Sequence, residues 1–532
     1  MTDDVFSAAT RRQFLKGSTA TLAGLGASGL LAACGSSSNA RPTSSSVAAA
    51  GKHRRGGRLR VGAIGAGQAE NINPLVYTGN IDITRANNIF DSLTLMTPDL
   101  KTPVPQLAEE LTPNKDFSAW TVRLRQGVEF TNGKDLTADD LIWTIQGWVN
   151  PHNNPYGLIG QFIDAKGVKK LDKLTVRIPF STPISDPQPL FAAPPGQIYQ
   201  DGEKHFTHPV GTGPFKLVSF TPGQRSLMTR NPNYWQDGEP YVDELEIISF
   251  TDPAALLNAL LGGDLDVMVG LDYAQAKAQQ SNSSIKLLIT PQPGSIPFLM
   301  RADVPPFSDH RVRQAMRLIA DRKALVETAL NGFGTVGNDV MGPGLPYFDS
   351  SLPAREQDIE QAKSLLKAAG HEKLTVTLQT SQVVPGFVEA ATLFAQQAQA
   401  AGVTVVLKQE NPAAYFDPSQ LYLKMTFAQT ILDPITSLSS IYVLNFWPRG
   451  PFDETHQNAP TFNNGLIKAL GAGPSTAQSA WDDVQRYLYE YGTYLMWGQQ
   501  DFIDAMAPNV QGLIPDKANN SSNFMYRRAW LS

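Results

Sequence analysis

Few residues in this sequence have the types and spacing that catalysis or metal binding needs. Two Ser-x-x-Lys pairs, Ser283–Lys286 and Ser364–Lys367, could join a serine nucleophile to a lysine, but no S-D-N or K-T-G segment accompanies them. His205 and His208 stand three residues apart in a turn-rich segment, and the sequence contains no H-E-x-x-H motif. No G-x-S-x-G elbow marks a serine nucleophile. We therefore predict no catalytic residue and no metal site.

Signals for a bound cofactor and for acid–base catalysis are equally incomplete. The segment Gly62–Gly67, GAIGAG, lacks the third glycine of the dinucleotide fingerprint because Glu70 stands at that position. Asp139 and Asp140 stand at the start of a predicted helix, where carboxylates commonly stabilise the first turn. We predict no cofactor and no enzymatic activity.

Cys34 is the only cysteine in the 532 residues. A lone thiol forms no disulfide within the chain and gives too few ligands for a cysteine-built metal site. The preceding Leu31-Ala32-Ala33 makes the segment resemble the lipobox of bacterial lipoproteins, in which the cysteine is diacylated and becomes the first residue after cleavage. We therefore predict that Cys34 is a lipidation site. Acyl chains on it would anchor the protein stably, because each buried CH₂ contributes roughly 0.8 kcal/mol.

The N-terminal residues have the order of an export signal. Arg11 and Arg12 precede Ser18–Leu31, an uncharged run that is too short and too rich in small residues to span a bilayer. The adjacent arginines look like a twin-arginine export signal. We expect a signal peptide over residues 1–33, followed over 34–57 by the lipidated cysteine and a flexible tether. An ordinary signal peptide with an incidental cysteine is the alternative.

The charge balance of the chain limits its partners. The 44 Lys and Arg residues against 49 Asp and Glu residues give a net charge of −5, so no basic surplus exists to neutralise nucleic-acid phosphates. With 42% hydrophobic and 17% charged residues the composition is globular, and the length allows two or three domains. We expect no nucleic-acid partner, and a membrane contact only through the lipid.

Short sequence signals predict alternating strands and helices. WTVRL (Trp120–Leu124) alternates like a half-buried strand, and Thr137 with Asp140 forms a capping box before a helical apolar pattern. The segment Asp309–Gly332 predicts one or two helices, and Ile359–Gly370 predicts another helix that ends at glycine.

Residues 374–409 predict a parallel strand pair. Leu374–Thr380 and Val403–Gln409 have strand patterns, and a helical apolar pattern over Phe387–Ala401 lies between them. A strand–helix–strand unit of this size usually forms two parallel strands. The sequence shows no internal repeat of solenoid length, and we predict an α/β fold.

Five ordered segments carry a family resemblance: GGRLRVG (Gly56–Gly62), WTVRLRQGVEFTNGKDLTADDLIWTIQ (Trp120–Gln146), VGTGPFKLVSFTPGQRSLMTRNPNYW (Val210–Trp235), ALLGGDLDVM (Ala259–Met268) and PPFSDHRVRQAMRLIADRKALVETALNGFG (Pro305–Gly334). Together they resemble the family 5 extracellular solute-binding proteins, the oligopeptide-, dipeptide- and nickel-binding lipoproteins of ABC importers.

The residue types in these segments suit structural roles better than they suit ligand binding. Gly211 and Gly213 in GTGPF suit a tight turn before a strand. Arg311, Arg313 and Arg317 suit structural ion pairs or solvent exposure. The segments therefore identify the family without identifying the ligand.

The resemblance implies a two-lobed, periplasmic-binding-protein-like α/β fold with a two-segment hinge. On that basis we predict a first lobe over 58–98, 208–297 and 506–532, an extra subdomain inserted over 99–207, and a second lobe over 298–505. It further implies a monomeric, lipid-anchored subunit on the extracytoplasmic face of the bacterial cell membrane, in the periplasm or cell-wall space. Such a subunit closes its lobes on a ligand and delivers it to ABC permease subunits.

The residues that could bind the ligand leave its class open. Peptide-binding members usually hold the ligand's α-ammonium with an Asp four residues before the proline of a segment ending in Asp-Pro or Glu-Pro. Here that segment is FAQTILDPITSL (Phe427–Leu438), and Thr430 stands four residues before Pro434. Asp433 is the nearest carboxylate and a candidate replacement, although it suits the turn equally. We expect a short peptide or a similarly sized polar metabolite, such as an opine or a sugar.

Aromatic residues and family position give the other candidate ligand contacts. In IYVLNFWPRG, Phe446 and Trp447 could stack on a sugar or an apolar group, and Arg449 could hold a carboxylate. The alternative is that both aromatics are core residues and that Arg449 lies on the surface. The position of NPLVYTGNID in the family implies that Tyr77 and Asn80 reach the cleft.

Two other function classes share many of these features. A secreted, membrane-anchored hydrolase would need a catalytic constellation, which the sequence does not mark. A sensory binding protein that presents its ligand to a signalling receptor would share every feature described above.

Overall fold

The computed structural model describes residues 53–65, 67–77, 79–150, 158–417, 419–432, 436–447, 452–518 and 521–532. Strands and helices are numbered along the chain. The strands are β1 (Arg58–Ile64), β2 (Thr94–Met96), β3 (Pro103–Pro105), β4 (Ala108–Pro113), β5 (Ala119–Leu124), β6 (Lys169–Lys170), β7 (Thr175–Pro179), β8 (Phe215–Thr221), β9 (Arg225–Arg230), β10 (Glu244–Phe250), β11 (Val267–Met268), β12 (Lys286–Ser295), β13 (Phe298–Met300), β14 (Gly334–Val336), β15 (Thr375–Thr380), β16 (Thr404–Gln409), β17 (Phe427–Gln429), β18 (Tyr494–Leu495), β19 (Gly498–Met506), β20 (Val510–Gln511) and β21 (Trp530–Leu531).

The α-helices are α1 (Asn80–Ile89), α2 (Ala138–Trp148), α3 (Gln188–Ala192), α4 (Pro253–Leu261), α5 (Tyr273–Gln279), α6 (His310–Ile319), α7 (Arg322–Ala329), α8 (Ile359–Ala368), α9 (Phe387–Gln399), α10 (Pro412–Tyr415), α11 (Leu438–Phe446), α12 (Pro460–Leu470) and α13 (Ala477–Tyr491). Short 3₁₀ turns occur at Gly67–Ala69, Gly160–Phe162, Ala165–Gly167 and Ser521–Phe524.

Two large sheets organise the chain into two lobes. The first has eight strands in the order β12-β19-β11-β1-β10-β9-β8, with β14 added against β19. The second has five strands in the order β16-β15-β17-β13-β18. A separate antiparallel sheet, β4-β5-β7-β6, is formed by the chain between α1 and β8. This arrangement confirms the predicted two-lobed α/β fold.

The chain passes between the two large sheets at four places, because β14 of the first sheet lies between β13 and β15 of the second along the chain. It leaves β12 of the first sheet and enters β13 of the second, and it returns from β18 to β19. Strand β19 then pairs with β12 and β11, so the chain re-enters the first sheet at Gly498. The residue limits given above for the domains stay a prediction.

The elements predicted from local sequence signals are present. Strand β5 covers the predicted strand, and Thr137 and Asp140 form the capping box of α2. The segment Asp309–Gly332 forms two helices, because Ala320 leaves helical geometry and Asp321 caps α7 by accepting from the Ala324 N–H. Strands β15 and β16 pair in parallel on either side of α9 in the chain.

The glycines of GTGPF are needed for close approach to another segment. Gly213 donates its N–H to the Ile89 carbonyl, at the end of α1, at 2.9 Å. A Cβ on Gly211 would lie 1.9 Å from the same oxygen, and a Cβ on Gly213 would lie 2.6 Å from it. Neither distance is compatible with a side chain. These glycines therefore let two backbone segments touch, which is a different reason from the tight turn that we expected.

Two of the three arginines on α6 are neither ion-paired at the surface nor solvated. Arg317 is fully buried and donates to the carbonyls of Leu488, Tyr489 and Glu490 at 3.1, 2.9 and 2.6 Å. Arg313 donates to the Tyr491 carbonyl at 2.7 Å. The last carbonyls of a helix have no partner within it, so these guanidinium groups cap the end of α13.

Arg311 behaves as expected and forms an ion pair with Asp309 at 2.6 Å, with 41% of its side chain exposed. For Arg317, burial lowers the pKa to about 9. The expectation for the α6 arginines was therefore correct for Arg311 and wrong for the two buried ones.

We expect Arg317→Met to lower the free energy of unfolding by about 3 kcal/mol, because buried carbonyls lose a charged donor. Arg311→Met, on the same helix, should change it much less, because its ion pair with Asp309 and its bond to the Ala368 carbonyl are exposed to solvent. Urea unfolding at pH 7 measures both values. Equal effects of the two substitutions would contradict this account of helix capping.

Candidate functional site

The candidate ligand site is the cleft between the two lobes. The chain between α1 and β8 reaches across this cleft at two points near α11. Thr436, just before α11, donates its hydroxyl to the Pro189 carbonyl at 2.5 Å. The rings of Phe162 and Trp447 meet edge to face, with centroids 5.0 Å apart. Residues of the inserted segment therefore contact the second lobe at both ends of α11.

The β12–β13 and β18–β19 crossings are bonded to each other and to β17 of the second sheet. Ser295 and Leu432 exchange both backbone hydrogen bonds, at 3.0 and 2.8 Å. The Ser295 hydroxyl donates to the Gly498 carbonyl at 2.5 Å. Just beyond, the Thr430 N–H donates to the Pro297 carbonyl at 3.1 Å. These contacts tie the two connections to each other and to the residues that follow β17.

A buried carboxylate fixes the second crossing segment to the second lobe. Asp339 accepts from the Met496 N–H at 2.9 Å, and its side chain is 0% exposed. Arg322 and Arg355 each lie 2.7 Å from the same carboxylate oxygen, Oδ2. This carboxylate therefore holds Met496 in place, immediately before residues 497–500, which pair with residues 334–337.

The loop after β1 is held by a second buried charge cluster. Arg85 on α1 contacts Glu70 of this loop at 2.7 Å and Asp82 at 2.9 Å, and its side chain is fully buried. The Ser249 hydroxyl donates to Glu70 at 2.5 Å, and the Asn71 N–H donates to Asp82 at 3.2 Å. The loop follows the carboxyl end of parallel β1, the edge at which α/β sheets commonly bind ligands.

Tyr77 and Asn80, the predicted contacts from the first lobe, lie at the end of this loop. Tyr77 is buried and donates its hydroxyl to Gln197 at 2.6 Å. Burial raises the pKa of the Tyr77 hydroxyl well above its ordinary value, and the bond to Gln197 opposes that shift. Asn80 is the half-buried first residue of α1. Their contact with a ligand stays a prediction.

Phe446 and Trp447 occupy different environments. Phe446 is 0% exposed and packs against the rings of Tyr442, Phe462 and Tyr494 at 5.9, 5.3 and 5.7 Å. This packing favours the core alternative for Phe446. Trp447 is half-buried at the end of α11, where it meets Phe162. Of the two aromatics, Trp447 is the one at the boundary between the lobes.

Thr430, at the position of the usual ammonium anchor, is bonded to a carboxylate that we did not anticipate. Its hydroxyl donates to Glu454 at 2.8 Å, and the Tyr422 hydroxyl donates to the same oxygen at 2.5 Å. Thr430 and Glu454 are each 1% exposed. Glu454 lies in the polar loop FDETHQN, which carries no motif. Glu454 reaches Thr430 only because this loop folds back under β17. The spacing of residues in the sequence does not reveal such a contact.

Several predicted residues lie outside the described part of the chain. These are the export and lipidation residues and two candidate ligand contacts: Arg11, Arg12, Cys34, Asp433 and Arg449. Within the described ranges, no helix is both long and apolar enough to cross a membrane. In the same residues, no three His, Cys, Asp or Glu side chains are grouped as metal ligands.

The sequence model for bacterial extracellular solute-binding proteins, family 5 Middle, matches residues 102–449. That range is more than half of the chain. The protein belongs to family 5 of the bacterial extracellular solute-binding proteins. The resemblance stated from the sequence motifs is therefore confirmed.

Curated proteins and solved structures resemble this family 5 protein along most of their own length. The glutathione-binding protein GsiB of Salmonella typhimurium is 25% identical over 465 residues, which cover 83% of this chain and 90% of that protein. The ABC transporter substrate-binding protein CtaP of Listeria monocytogenes has a TM-score of 0.77 at 20% identity, over 90% of this chain and 100% of its own. AgaA of A. tumefaciens R10, solved with agropinic acid, has a TM-score of 0.76 at 21% identity, over 90% and 99%. These structures show the fold.

The carboxyl group of Asp186 lies at the contact between the inserted segment and the second lobe. Burial raises the pKa of its carboxyl to about 6. The charge of Asp186 also raises the pKa of Tyr347 in the second lobe, after burial of Tyr347 itself. The folded protein thus binds a proton at Asp186 that the unfolded chain releases at lower pH.

We expect Asp186→Asn to raise the free energy of unfolding by about 1–2 kcal/mol at pH 7.5 and to leave it unchanged near pH 4. A raised carboxyl pKa costs stability as pH rises from about 4 to 6, and asparagine does not ionise. Chemical unfolding at both pH values measures the difference. Asp264→Asn, at an exposed position, is the control and should change stability by less than about 0.5 kcal/mol at either pH. A gain for Asp186→Asn at pH 4 would contradict the assignment.

Proposed function

We propose that this family 5 protein is the lipid-anchored solute-binding subunit of an ABC importer. It captures a short peptide or a similarly sized polar metabolite in the cleft between its lobes and delivers it to the permease. The observation that carries this proposal is the arrangement of two separate large sheets, between which the chain passes at the β12–β13 and β18–β19 connections and on either side of β14. Two lobes joined in this way can close on a ligand, and closure is the signal that a permease can recognise.

The residues around the cleft favour a polar ligand without requiring a free ammonium group. At the usual position of the ammonium anchor the Thr430 hydroxyl donates to Glu454, and both side chains are 1% exposed. This position therefore carries a hydroxyl already bonded to a buried carboxylate, not an exposed carboxylate that would select an ammonium group. Relatives named for glutathione and agropinic acid support testing short peptides and opines first.

Trp447 is our proposed aromatic contact for this ligand. It is half-buried at the boundary between the lobes, where closure would bring it against bound solute. Its meeting with Phe162 shows that the inserted segment reaches this position, and an aromatic face there can stack on a sugar ring or cover an apolar group.

We expect the purified full-length chain to gain thermal stability with at least one member of a panel of di- to pentapeptides, glutathione, opines and sugars. At a ligand concentration of 100 times Kd the gain is about 2.7 kcal/mol. Isothermal titration then gives Kd for the compound that stabilises. Trp447→Ala should weaken that Kd by roughly tenfold, through loss of about 1.4 kcal/mol.

Trp143→Ala is the matched control, because Trp143 is also half-buried but lies on α2 of the inserted segment with Glu203 accepting from its indole N–H. It should leave Kd unchanged. No stabilisation by any compound would count against solute binding. Turnover of a panel compound, lost on substitution of one cleft residue, would instead favour a hydrolase.

The proposed anchor is tested separately from ligand binding. We expect Cys34→Ala to move the protein from the membrane fraction to the soluble extracytoplasmic fraction without changing Kd, because acyl chains on this residue would be its membrane attachment. Cell fractionation with immunoblotting measures the distribution, and Cys34→Ser is a second conservative variant. A Cys34→Ala protein that stays on the membrane would rule out lipidation at this residue as the anchor.

A further inference from the structure

Besides Thr436–Pro189 and Phe162–Trp447, a further contact between the inserted segment and the second lobe lies at the end of α12. Ser185 donates its backbone N–H to the Leu470 carbonyl at 2.8 Å, and its hydroxyl donates to the same oxygen at 3.1 Å. Gly471 lies directly against Pro183, because a Cβ built on Gly471 would be 3.2 Å from the Pro183 Cβ. We call Pro183, Ser185, Leu470 and Gly471 the rim contact.

The rim contact consists only of protein atoms and uses none of the predicted ligand residues. Leu470 is the last residue of α12, and carbonyls at the end of a helix have no partner within the helix. Here Ser185 supplies that partner from the other side of the cleft. Gly471 has φ −89°, a conformation open to any residue, so close approach to Pro183 is the observation that favours glycine there.

The two sides of the rim contact are connected through the chain only by way of the first lobe and the crossings. The inserted segment follows α1 of the first lobe, and α12 belongs to the chain between β17 and β18 of the second sheet. A change of angle at the crossings therefore separates Ser185 from Leu470. In the separated state water takes the place of Ser185 at the helix end.

We propose that the rim contact is a latch that favours the closed arrangement of the lobes even without ligand. A contact made only in the closed form shifts the open–closed equilibrium towards closed, whatever occupies the cleft. The latch rests on the proposed lobe closure. The latch forms without ligand, so its failure in the experiments below is distinguishable from a ligand screen in which no compound binds.

Disulfide trapping tests whether the rim contact forms in ligand-free protein. The full chain carries Pro183→Cys and Gly471→Cys in a Cys34→Ala background, and it is unfolded and refolded to remove any retained ligand. Cβ atoms of bridged cysteines lie about 3.5–4.5 Å apart, so a small shift from 3.2 Å allows the bond. Diamide is the oxidant, and intact mass with non-reducing electrophoresis reports the bridge.

The matched control pairs Pro183→Cys with Gly465→Cys. Gly465 is on the same helix, six residues before Gly471, which places it about 9 Å away along the axis. We expect the rim pair to oxidise roughly tenfold faster than the control pair, because only its Cβ atoms approach bonding distance.

A wedge variant tests the same contact without cysteines. In Gly471→Trp the indole cannot fit against Pro183 in the closed form but is solvated in the open form, so the variant should fold normally. We expect small-angle scattering to give a larger radius of gyration for ligand-free Gly471→Trp than for the natural chain. Gly262→Trp is the control, because Gly262 is an exposed residue at the end of α4 with φ −76°.

The latch requires both the faster oxidation of the rim pair and the larger radius of gyration of Gly471→Trp. Oxidation of the rim pair no faster than the control pair would overturn the latch. A radius of gyration for Gly471→Trp equal to that of the natural chain and of Gly262→Trp would overturn it equally.

Discussion

The rest of the structure depends on two of the chain segments that cross between the sheets. Each segment leaves one sheet and enters another, and buried backbone groups must stay paired along the way. Ser295 meets this requirement by exchanging backbone bonds with Leu432, while its hydroxyl reaches the Gly498 carbonyl of the other crossing. Because Ser295 and Gly498 are bonded to each other, these two crossings lie side by side, and β14 adds a further strand against β19 there. A change in the relative angle of the lobes would have to be absorbed by these segments.

Buried charges keep the parts on either side of these crossings rigid. Asp339, between Arg322 and Arg355, holds Met496 in place within the second lobe. In the first lobe, Arg85 ties the loop after β1 to α1 through Glu70 and Asp82. Removing one member of a buried charged group costs about 3–5 kcal/mol, so neither cluster gives way readily. Each cluster thereby holds the chain segments around it together.

Local sequence signals were sufficient for the elements and the family, but they were insufficient for the site. The capping box at Thr137 and the strand–helix–strand unit over 374–409 are set by neighbouring residues, so a pattern reveals them. Glu454 meets Thr430 only after a loop folds back under β17, and no spacing marks such a contact. Phe446 and Trp447 are adjacent aromatics in the sequence, yet one packs into a core and the other meets Phe162. Which one packs into the core and which one stays half-buried is decided by the packing of α11.

The small size of the rim contact suits a protein that must both bind and release. When the contact opens, Ser185 loses its backbone and hydroxyl hydrogen bonds to the Leu470 carbonyl and gains hydrogen bonds to water. The closed contact therefore contributes a net stabilisation of about 1 kcal/mol. That free energy shifts an open–closed equilibrium by roughly fivefold. The rim contact adds this shift to the Thr436–Pro189 and Phe162–Trp447 contacts, and it is too small on its own to keep the cleft shut before solute enters. With a contact of this size, interactions between solute and cleft residues still decide which state predominates, because moving a population from mostly open to mostly closed requires several kcal/mol.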